Sequence, residues 1–238
     1  EIDMVMKQVD GVVVRKSIVV RPADIDLLWE AEGYTPAFYR GKTLHTEGGA
    51  VRVIAMPQMT DKNGRKISPS NLIYKWWQDD EFSRDDSGFG KNVFNFQKRR
   101  ALLYFSEIKV EASSIDESSV GEKSLVLSSK PPSLVLYENN PLYGLLSNTA
   151  LESVNLVGSE ITIEMVPFFA SVSKRMDGRL RFSWEINDSP TGDAVPAITL
   201  RKPESGAGIS NIRAGVSHQD YWEQSVEKNI SITFGETR

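Results

Sequence analysis

Acidic and aromatic side chains are the residues of this sequence whose types and spacing point to chemistry. The densest acidic group follows a pair of tryptophans, and its members are Asp79, Asp80, Glu81, Asp85 and Asp86. Carboxylate oxygens are ligands that Ca²⁺ prefers, and the ion takes roughly six to eight oxygens. The group lacks the alternating Asx residues and the glycine of an EF-hand loop. Two interpretations stay open, a solvated acidic turn and a weak Ca²⁺ site.

Tryptophans are the candidates for contact with a ligand. Trp76 and Trp184 lie 108 residues apart, and each follows another aromatic residue by two positions. This match predicts equivalent places in the cores of two repeated modules. Trp77 and Trp222 have no counterpart in the other module. These two are therefore the candidates for an exposed contact, such as stacking on a sugar ring, and packing at the edge of a core is the alternative.

No group of residues has the spacing of a known catalytic centre. Ser171-Val172-Ser173-Lys174 matches the S-x-x-K signature of penicillin-recognising enzymes, but their S-D-N and K-T-G elements are missing. The two histidines, His45 and His218, stand at unmatched positions in different predicted modules, and the sequence has no cysteine. The sequence therefore predicts a protein that is not an enzyme, with no catalytic residues, no cofactor-binding residues and no cofactor.

Composition limits the partners and the compartment. The formal net charge is −4, and the dense basic cluster Lys98-Arg99-Arg100 is too small to attract a nucleic acid by counterion release. No apolar run approaches the roughly 18 residues that cross a bilayer. Cysteine-free β-proteins are common on bacterial surfaces, but cytosolic proteins can lack cysteine too. The composition therefore agrees with export to the cell surface, the extracellular space or the periplasm without establishing it. Any export signal or anchor is expected outside this sequence.

An internal repeat organises the sequence into modules. Leu27-Leu28-Trp29-Glu30 returns after 108 residues as Val135-Leu136-Tyr137-Glu138, and the two matched tryptophans keep the same offset. Landmarks that recur in order at one offset indicate a duplicated structural unit. A proline and aromatic residues follow each copy: Pro36, Phe38 and Tyr39 in the first module, Pro141 and Tyr143 in the second.

The closing strands of the modules set the predicted boundaries. Residues 119–127 resemble residues 225–232, and residues 16–20 resemble residues 123–127. Prolines stand at both boundaries, where they fix φ and stiffen a short connection. The sequence thus predicts three parts: residues 1–22 as the last strand of a preceding module plus a linker, residues 23–130 as module 1 and residues 131–238 as module 2.

Short strands fill each predicted module, because segments that alternate apolar and polar side chains are separated by turn residues. Roughly seven or eight strands in about 108 residues, with a tryptophan in a central one, predict an all-β, two-sheet Greek-key sandwich. Tyr74-Lys75-Trp76 and Phe182-Ser183-Trp184 resemble the strand-C motif of tandem bacterial immunoglobulin-like and polycystic-kidney-disease-type (PKD) repeats of surface proteins. The turns after the tryptophans lack the glycine-rich PKD pattern, and the immunoglobulin cysteine pair is absent.

The resemblance implies a structural or adhesive function outside the cytoplasm. We expect a stalk, an adhesin or an envelope component whose partners are other protein modules or subunits of a surface assembly. One alternative is a glycan-binding accessory module of an envelope enzyme, with Trp77 and Trp222 lining a shallow groove. Another alternative is a filament subunit that exchanges strands, motivated by the strand predicted at residues 12–20.

Overall fold

Two compact units make up the protein. The computed structural model describes residues 2–7, 13–18, 23–97 and 105–235, with side chains from 23 to 96 and from 105 to 235. Contacts within the chain divide it as follows: the first unit contains Glu1–Glu30, Val51–Phe96 and Phe105–Ser128, and the second contains Ala31–Ala50, Gln97–Tyr104 and Ser129–Arg238.

A hairpin opens the chain. Strand β1 (Ile2–Lys7) pairs antiparallel with strand β2 (Val13–Ile18). The strand predicted at residues 12–20 is therefore present over Val13–Ile18, and the rest of that prediction lies outside the described residues. Strand β2 pairs with β1 of its own chain, so it is not the orphan strand that the filament hypothesis assumes. The filament hypothesis loses the observation that motivated it.

The first unit is a sandwich of two sheets. Its strands are β3 (Asp24–Ala31), β4 (Ala50–Gln58), β5 (Ile73–Gln78), β6 (Glu81–Phe89), β7 (Val93–Gln97), β8 (Phe105–Ser113) and β9 (Val120–Ser128). One sheet has the order β3-β4-β7 and the other the order β6-β5-β8-β9. Apolar and polar residues alternate in these strands, so one face of each sheet is buried. In β4, for example, Val51, Val53 and Ala55 are buried.

The second unit is a larger sandwich with its own two sheets. Its strands are β10 (Ser133–Asn140), β11 (Gly144–Leu145), β12 (Ser153–Leu156), β13 (Glu160–Phe168), β14 (Leu180–Ile186), β15 (Ser189–Pro190), β16 (Ala197–Arg201), β17 (Gly208–His218) and β18 (Ser225–Phe234). The sheets have the orders β11-β10-β13-β16 and β12-β18-β17-β14-β15. Strand β12 pairs parallel with β18, whereas the other described pairs in this unit are antiparallel.

Both units share one strand order. In each, the first two main strands and a later one form one sheet, while the central strand after them joins the last two strands in the other sheet. The main strands of each unit thus cross between the sheets three times, as in the Greek-key sandwich of immunoglobulin domains. The protein is all-β, with tandem immunoglobulin-like sandwiches as the sequence predicts. Among the described residues, no helix is long and apolar enough to span a membrane.

The matched tryptophans lie in the two cores. Trp76 has none of its surface exposed and Trp184 has 2%. The Trp76 ring stacks on Phe94 at a centroid distance of 5.4 Å. The core prediction drawn from the repeat is confirmed for both tryptophans.

The segment Ala31–Ala50 connects β3 to β4 but packs as part of the second unit. Within that unit, Tyr34 N donates to Ala170 O at 2.8 Å, and Phe169 N donates to Tyr34 O at 2.7 Å. The predicted boundaries assign this segment to module 1, because sequence similarity groups it with the strands on either side. Packing assigns it to the second unit because its aromatic side chains contact that sandwich.

Candidate functional site

A two-residue turn holds the first part of the acidic group. Asp79 and Asp80 join β5 to β6 and have φ values of 48° and 66°. Two central residues with positive φ are typical of a type I′ hairpin, in which Asp, Asn and Gly are favoured. Asp79 Oδ1 accepts the main-chain N–H of Glu107 at 2.9 Å, and Asp79 N donates to Glu107 O at 2.9 Å. The aspartates therefore form the turn and attach it to β8.

The second unit repeats this turn at an offset of 108 residues. Asn187 and Asp188 have φ values of 50° and 62°. Asn187 Oδ1 accepts the main-chain N–H of Asn211 at 2.8 Å, and Asn187 N donates to Asn211 O at the same distance. Because the neutral Asn187 makes the same bonds as Asp79, the position requires a short side-chain oxygen rather than a charge.

The remaining acidic candidates follow along β6. Asp86 Oδ2 accepts a hydrogen bond from Ser83 Oγ at 2.7 Å, and Lys91 Nζ donates to the main-chain oxygen of Asp85 at 2.6 Å. Glu81 is exposed and pairs opposite Gln78. Within the described part of the chain, no three His, Asp or Glu side chains converge as a metal site would require. The structure does not bring the five acidic residues together as a ligand set.

Trp77 lies on the outer face of its sheet, because its neighbour Trp76 points into the core. Its partners across the two adjacent strands are Phe82 and Lys109. The Phe82 ring lies 5.7 Å from the Trp77 ring, and Lys109 Nζ lies 5.8 Å from the Trp77 centroid. Phe82 is 52% exposed, whereas Trp77 is half-buried. These three side chains form an aromatic and cationic stripe, which we call the Trp77 stripe.

Trp222 belongs to the second unit and is 82% exposed on the turn between β17 and β18. That turn is fixed from within, since Gln224 N donates to Tyr221 O and His218 N donates to Gln224 O, both at 2.9 Å. The turn therefore presents a large aromatic ring from an ordered backbone. The two tryptophans predicted to share a groove belong to different units.

A buried polar cluster lies beneath that turn, and we call it the Gln224 cluster. Gln224 is 2% exposed. Its Nε2 donates to Glu47 O at 2.5 Å and to Ser171 Oγ at 2.7 Å, while its Oε1 accepts Ser171 N at 2.8 Å. Ser171 Oγ also lies 3.2 Å from Thr46 Oγ1. The serine of the S-x-x-K match is thus occupied in joining three loops of the second unit.

Both histidines lie in the second unit, although the sequence places them in different modules. The rings of His218 and Tyr221 are 4.7 Å apart, and His218 Nδ1 accepts the N–H of Asp220 at 3.1 Å. His218 Nε2 is buried without a hydrogen-bond partner. Burial lowers the pKa of His218, the Asp220 carboxylate opposes that shift, and the positive charge of Arg179 adds to it. His45 is buried as well.

The second unit also contains a buried ion pair. Glu164 is 4% exposed, and its carboxylate pairs with the Arg175 guanidinium and accepts Asn139 Nδ2 at 2.7 Å. A buried carboxylate that is paired and hydrogen-bonded has its lone pairs satisfied. Its geometry is that of a structural contact. Sequence periodicity gives no signal for its burial, because Glu164 continues the alternation of Ile161, Thr162 and Ile163 at a polar position.

Large apolar side chains stand exposed on turns at both ends of the second sandwich. Leu142 and Tyr143, in the turn after β10, are 85% and 78% exposed, and Val157, in the turn before β13, is 84% exposed. The strand registers place these two turns at one end, next to the last residues of β18. Trp222 lies at the other end, where β18 begins.

Comparisons with known proteins give similar solved structures but no family. No protein-family model matches the chain, and no curated protein matches it. Similar solved structures include three N-terminal domains of the Highly Immunogenic Outer Capsid protein (Hoc) of bacteriophage RB49, with 13% identity, a TM-score of 0.45, and coverage of 90% of this chain and 59% of that one. This chain therefore spans less than two thirds of that structure.

Two further similar structures are also built from β-sandwich modules. The fibronectin(III)-like modules of CbhA from Clostridium thermocellum are 13% identical, with a TM-score of 0.27 and coverage of 87% of this chain and 94% of theirs. The N-terminal four Ig domains of Dscam1 isoform 6.9 are 9% identical, with a TM-score of 0.30 and coverage of 95% and 52%. At these identities the likeness concerns the fold alone, and the immunoglobulin-like assignment rests on the strand order.

Proposed function

We propose that this protein is a non-enzymatic structural or adhesive component of an extracytoplasmic assembly, in which its sandwiches act as semi-rigid modules of a stalk or surface array. The observation that carries the proposal is the placement of large exposed apolar side chains on the end turns of the second unit. Contiguous exposed apolar patches mark sites of protein contact. The side chains concerned are Leu142, Tyr143, Val157 and Trp222.

The polar residues at the candidate positions make hydrogen bonds and ion pairs within the fold, which supports a non-enzymatic function. Asp79 and Asn187 form hairpin turns, and Ser171 is held by Gln224. The buried Glu164 is paired with Arg175. Each of these groups is engaged in holding the fold, which favours a protein that acts through its surface and carries no cofactor.

In a stalk, consecutive sandwiches hold a distal element at a distance that grows with the number of modules. Contacts with neighbouring modules or subunits form through end turns, or through edge strands that accept a strand from a partner. Several weak contacts along one array add up to useful avidity. The partners that we propose are other protein modules or subunits of a surface assembly, and the compartment is the cell surface, the extracellular space or the periplasm.

Protease shaving of intact source cells tests this proposal. Peptides released from intact cells are identified by mass spectrometry, and the same treatment is applied to lysed cells as the control. Release of peptides of this chain before lysis, together with peptides of further sandwich modules, is the expected result. Release only after lysis would contradict the extracytoplasmic location.

Glycan binding is a second candidate, favoured by the 82% exposure of Trp222 and by the Trp77 stripe. Flat aromatic rings with an apolar face and a polar edge suit contact with a sugar ring. A polysaccharide panel tested with the intact protein and with the Trp77→Ala and Trp222→Ala variants examines this. Binding that either variant loses while keeping its fold supports the candidate, and absence of binding across the panel contradicts it.

A further inference from the structure

We infer that the proline-led turn Pro141-Leu142-Tyr143 is a docking element that packs against a further immunoglobulin-like module carrying an aromatic surface like that of the second unit. The inference deepens the proposed structural function and rests on it. The turn stands at the connection between the first two main strands of its unit. Its counterpart in the repeat is the segment that contains Pro36, Phe38 and Tyr39.

The counterpart segment shows what such an element does. Phe38 meets the ring of Tyr137 edge-on at 5.6 Å, and Tyr39 meets the rings of Phe168 and Phe169 at 5.7 and 5.4 Å. Edge-to-face pairs at these distances contribute beyond the area that they bury. Tyr137, Phe168 and Phe169 are each at most 9% exposed. They form the aromatic surface, which lies along the first two main strands of the second sandwich.

The turn at 141–143 carries large apolar side chains like those of Phe38 and Tyr39, but its side chains are exposed. Leu142 is 85% exposed and Tyr143 is 78% exposed. The backbone is already fixed, because Asn140 Oδ1 accepts the N–H of Leu142 at 3.0 Å and that of Tyr143 at 3.3 Å. A preorganised turn loses little conformational entropy when it docks. The exposed pair is therefore built for a contact that the described residues do not make.

The occupant is a further module rather than a second copy of this protein. In this chain the aromatic surface is already covered by Phe38 and Tyr39. A second copy therefore has no open surface for Tyr143 unless that cover is displaced. A further module whose own surface is open would accept Leu142 and Tyr143 in a heterologous contact, which extends an array rather than closing a dimer.

Opening the aromatic surface tests the inference in the intact chain. We expect the native protein to sediment as a monomer and the Phe38→Ser/Tyr39→Ser variant to form head-to-tail oligomers whose size rises with concentration. Adding Leu142→Ser/Tyr143→Ser to that variant should restore the monomer. The matched control adds Val157→Ser instead, since Val157 is equally exposed at the same end, and it should leave the oligomers intact.

Three results would overturn the inference. The first is a Phe38→Ser/Tyr39→Ser variant that stays monomeric while it retains its near-ultraviolet circular dichroism. The second is oligomers that persist after Leu142 and Tyr143 are replaced. The third is a native dimer that Tyr143→Ser dissociates. The last result would make a second copy the occupant.

A fused module provides a second test, which does not depend on the folding of the first variant. Four residues separate β9 from β10, and four residues follow Phe234, so a copy of residues 133–238 joined after Arg238 keeps the spacing of the repeat. The copy lacks its own segment 31–50, and its aromatic surface is open. Hydroxyl-radical oxidation of Tyr143 should be several-fold slower in the fusion than in the native chain, with Trp222 of the first copy unchanged. Equal rates for Tyr143 in a fusion whose appended copy is folded would contradict docking.

Both tests use purified protein and are independent of the compartment. Surface release without docking would overturn this inference alone. Docking without surface release would overturn the proposed location and leave the contact standing.

Discussion

Trp76 and Trp184 make the same hydrogen bond in their two sandwiches. Trp76 Nε1 donates to Lys91 O at 2.9 Å, and Trp184 Nε1 donates to Val195 O at 2.8 Å. Each bond joins the buried central strand to the main chain of the connection that follows its hairpin. The repeat is therefore one of side-chain chemistry as well as of strand order, since both units satisfy a buried indole N–H in the same way.

Replacing either tryptophan by phenylalanine should destabilise its unit. The change leaves a main-chain carbonyl without its donor and a small cavity, together about 2–4 kcal/mol of unfolding free energy. Urea unfolding followed by circular dichroism measures the loss. Trp222→Phe is the control, because Trp222 is 82% exposed, and it should change the unfolding free energy by less than about 0.5 kcal/mol. Equal effects at Trp184 and Trp222 would contradict the core assignment.

The hairpin turns should depend on side-chain oxygen and on positive φ. Asn187→Ala loses the bond to Asn211 N and places alanine at a φ of 50°, which should destabilise the second unit by about 1–2 kcal/mol. Asn187→Asp keeps both features and should stay within about 0.5 kcal/mol of the native protein. Thermal unfolding of the two variants checks this. A neutral Asn187→Ala would show that the turn does not need its Asx residue.

Calcium should have no effect on the first unit, because the five acidic candidates do not converge on one point among the described residues. Isothermal titration with Ca²⁺ should give no binding heat, and the melting temperature should be the same in Ca²⁺ and in EDTA. Asp79→Asn, which preserves the turn bond to Glu107 N, should behave like the native protein in both measurements. A melting temperature that rises with Ca²⁺ and loses that rise in Asp79→Asn would establish the cation site that the sequence leaves open.

Gln224 should be a major determinant of stability in the second unit. Gln224→Leu removes the bonds to Glu47 O, Ser171 Oγ and Ser171 N and leaves buried polar groups without partners, which should lower the unfolding free energy by about 2–4 kcal/mol. Ser225→Ala, at the neighbouring exposed position, is the control and should be nearly neutral. Chemical unfolding that shows no difference between these variants would contradict the role of the Gln224 cluster.

The stability of the second unit should fall as the pH drops through the range in which His218 titrates. Burial lowers the pKa of His218 in the folded protein below its ordinary value of 6.5, so above that value both states are neutral and the group contributes no pH dependence. As the pH falls through 6.5 the unfolded state binds the proton first, and stability declines until the folded pKa is passed. His218→Gln should remove this part of the decline between pH 7.5 and 5. Parallel curves for native and variant protein would contradict it.

The sequence predicts the parts of this structure that repeat. Two copies of a tryptophan at one offset are enough to predict two cores, because a core position constrains residue type strongly. The sequence also indicates the two turns. Asp79-Asp80 and Asn187-Asp188 are Asx pairs between strands, which is the favoured composition of a two-residue turn. The acidic composition of the first turn and the strand after it also suggests a cation site, because charge alone does not show whether carboxylates converge.

The features that the sequence does not predict are those that occur once. Gln224 contacts Glu47 across 177 positions, and neither residue belongs to a periodic pattern or a matched position. Segment 31–50 packs with the second unit, and the rings of Phe38 and Tyr39 contact that sandwich. The alternation of apolar and polar residues does not predict these contacts. Long-range contacts of single residues require the folded chain.

The central claim is that the end turns of the second unit are contact surfaces in an assembled structure. Hydroxyl-radical footprinting of the intact source assembly, compared with the purified protein, measures this at single side chains. We predict that Leu142 and Tyr143 are readily oxidised in the purified chain and strongly protected in the assembly, while Met56, 43% exposed on β4, is oxidised equally in both. Equal oxidation of Leu142 and Tyr143 in the two samples would contradict the account.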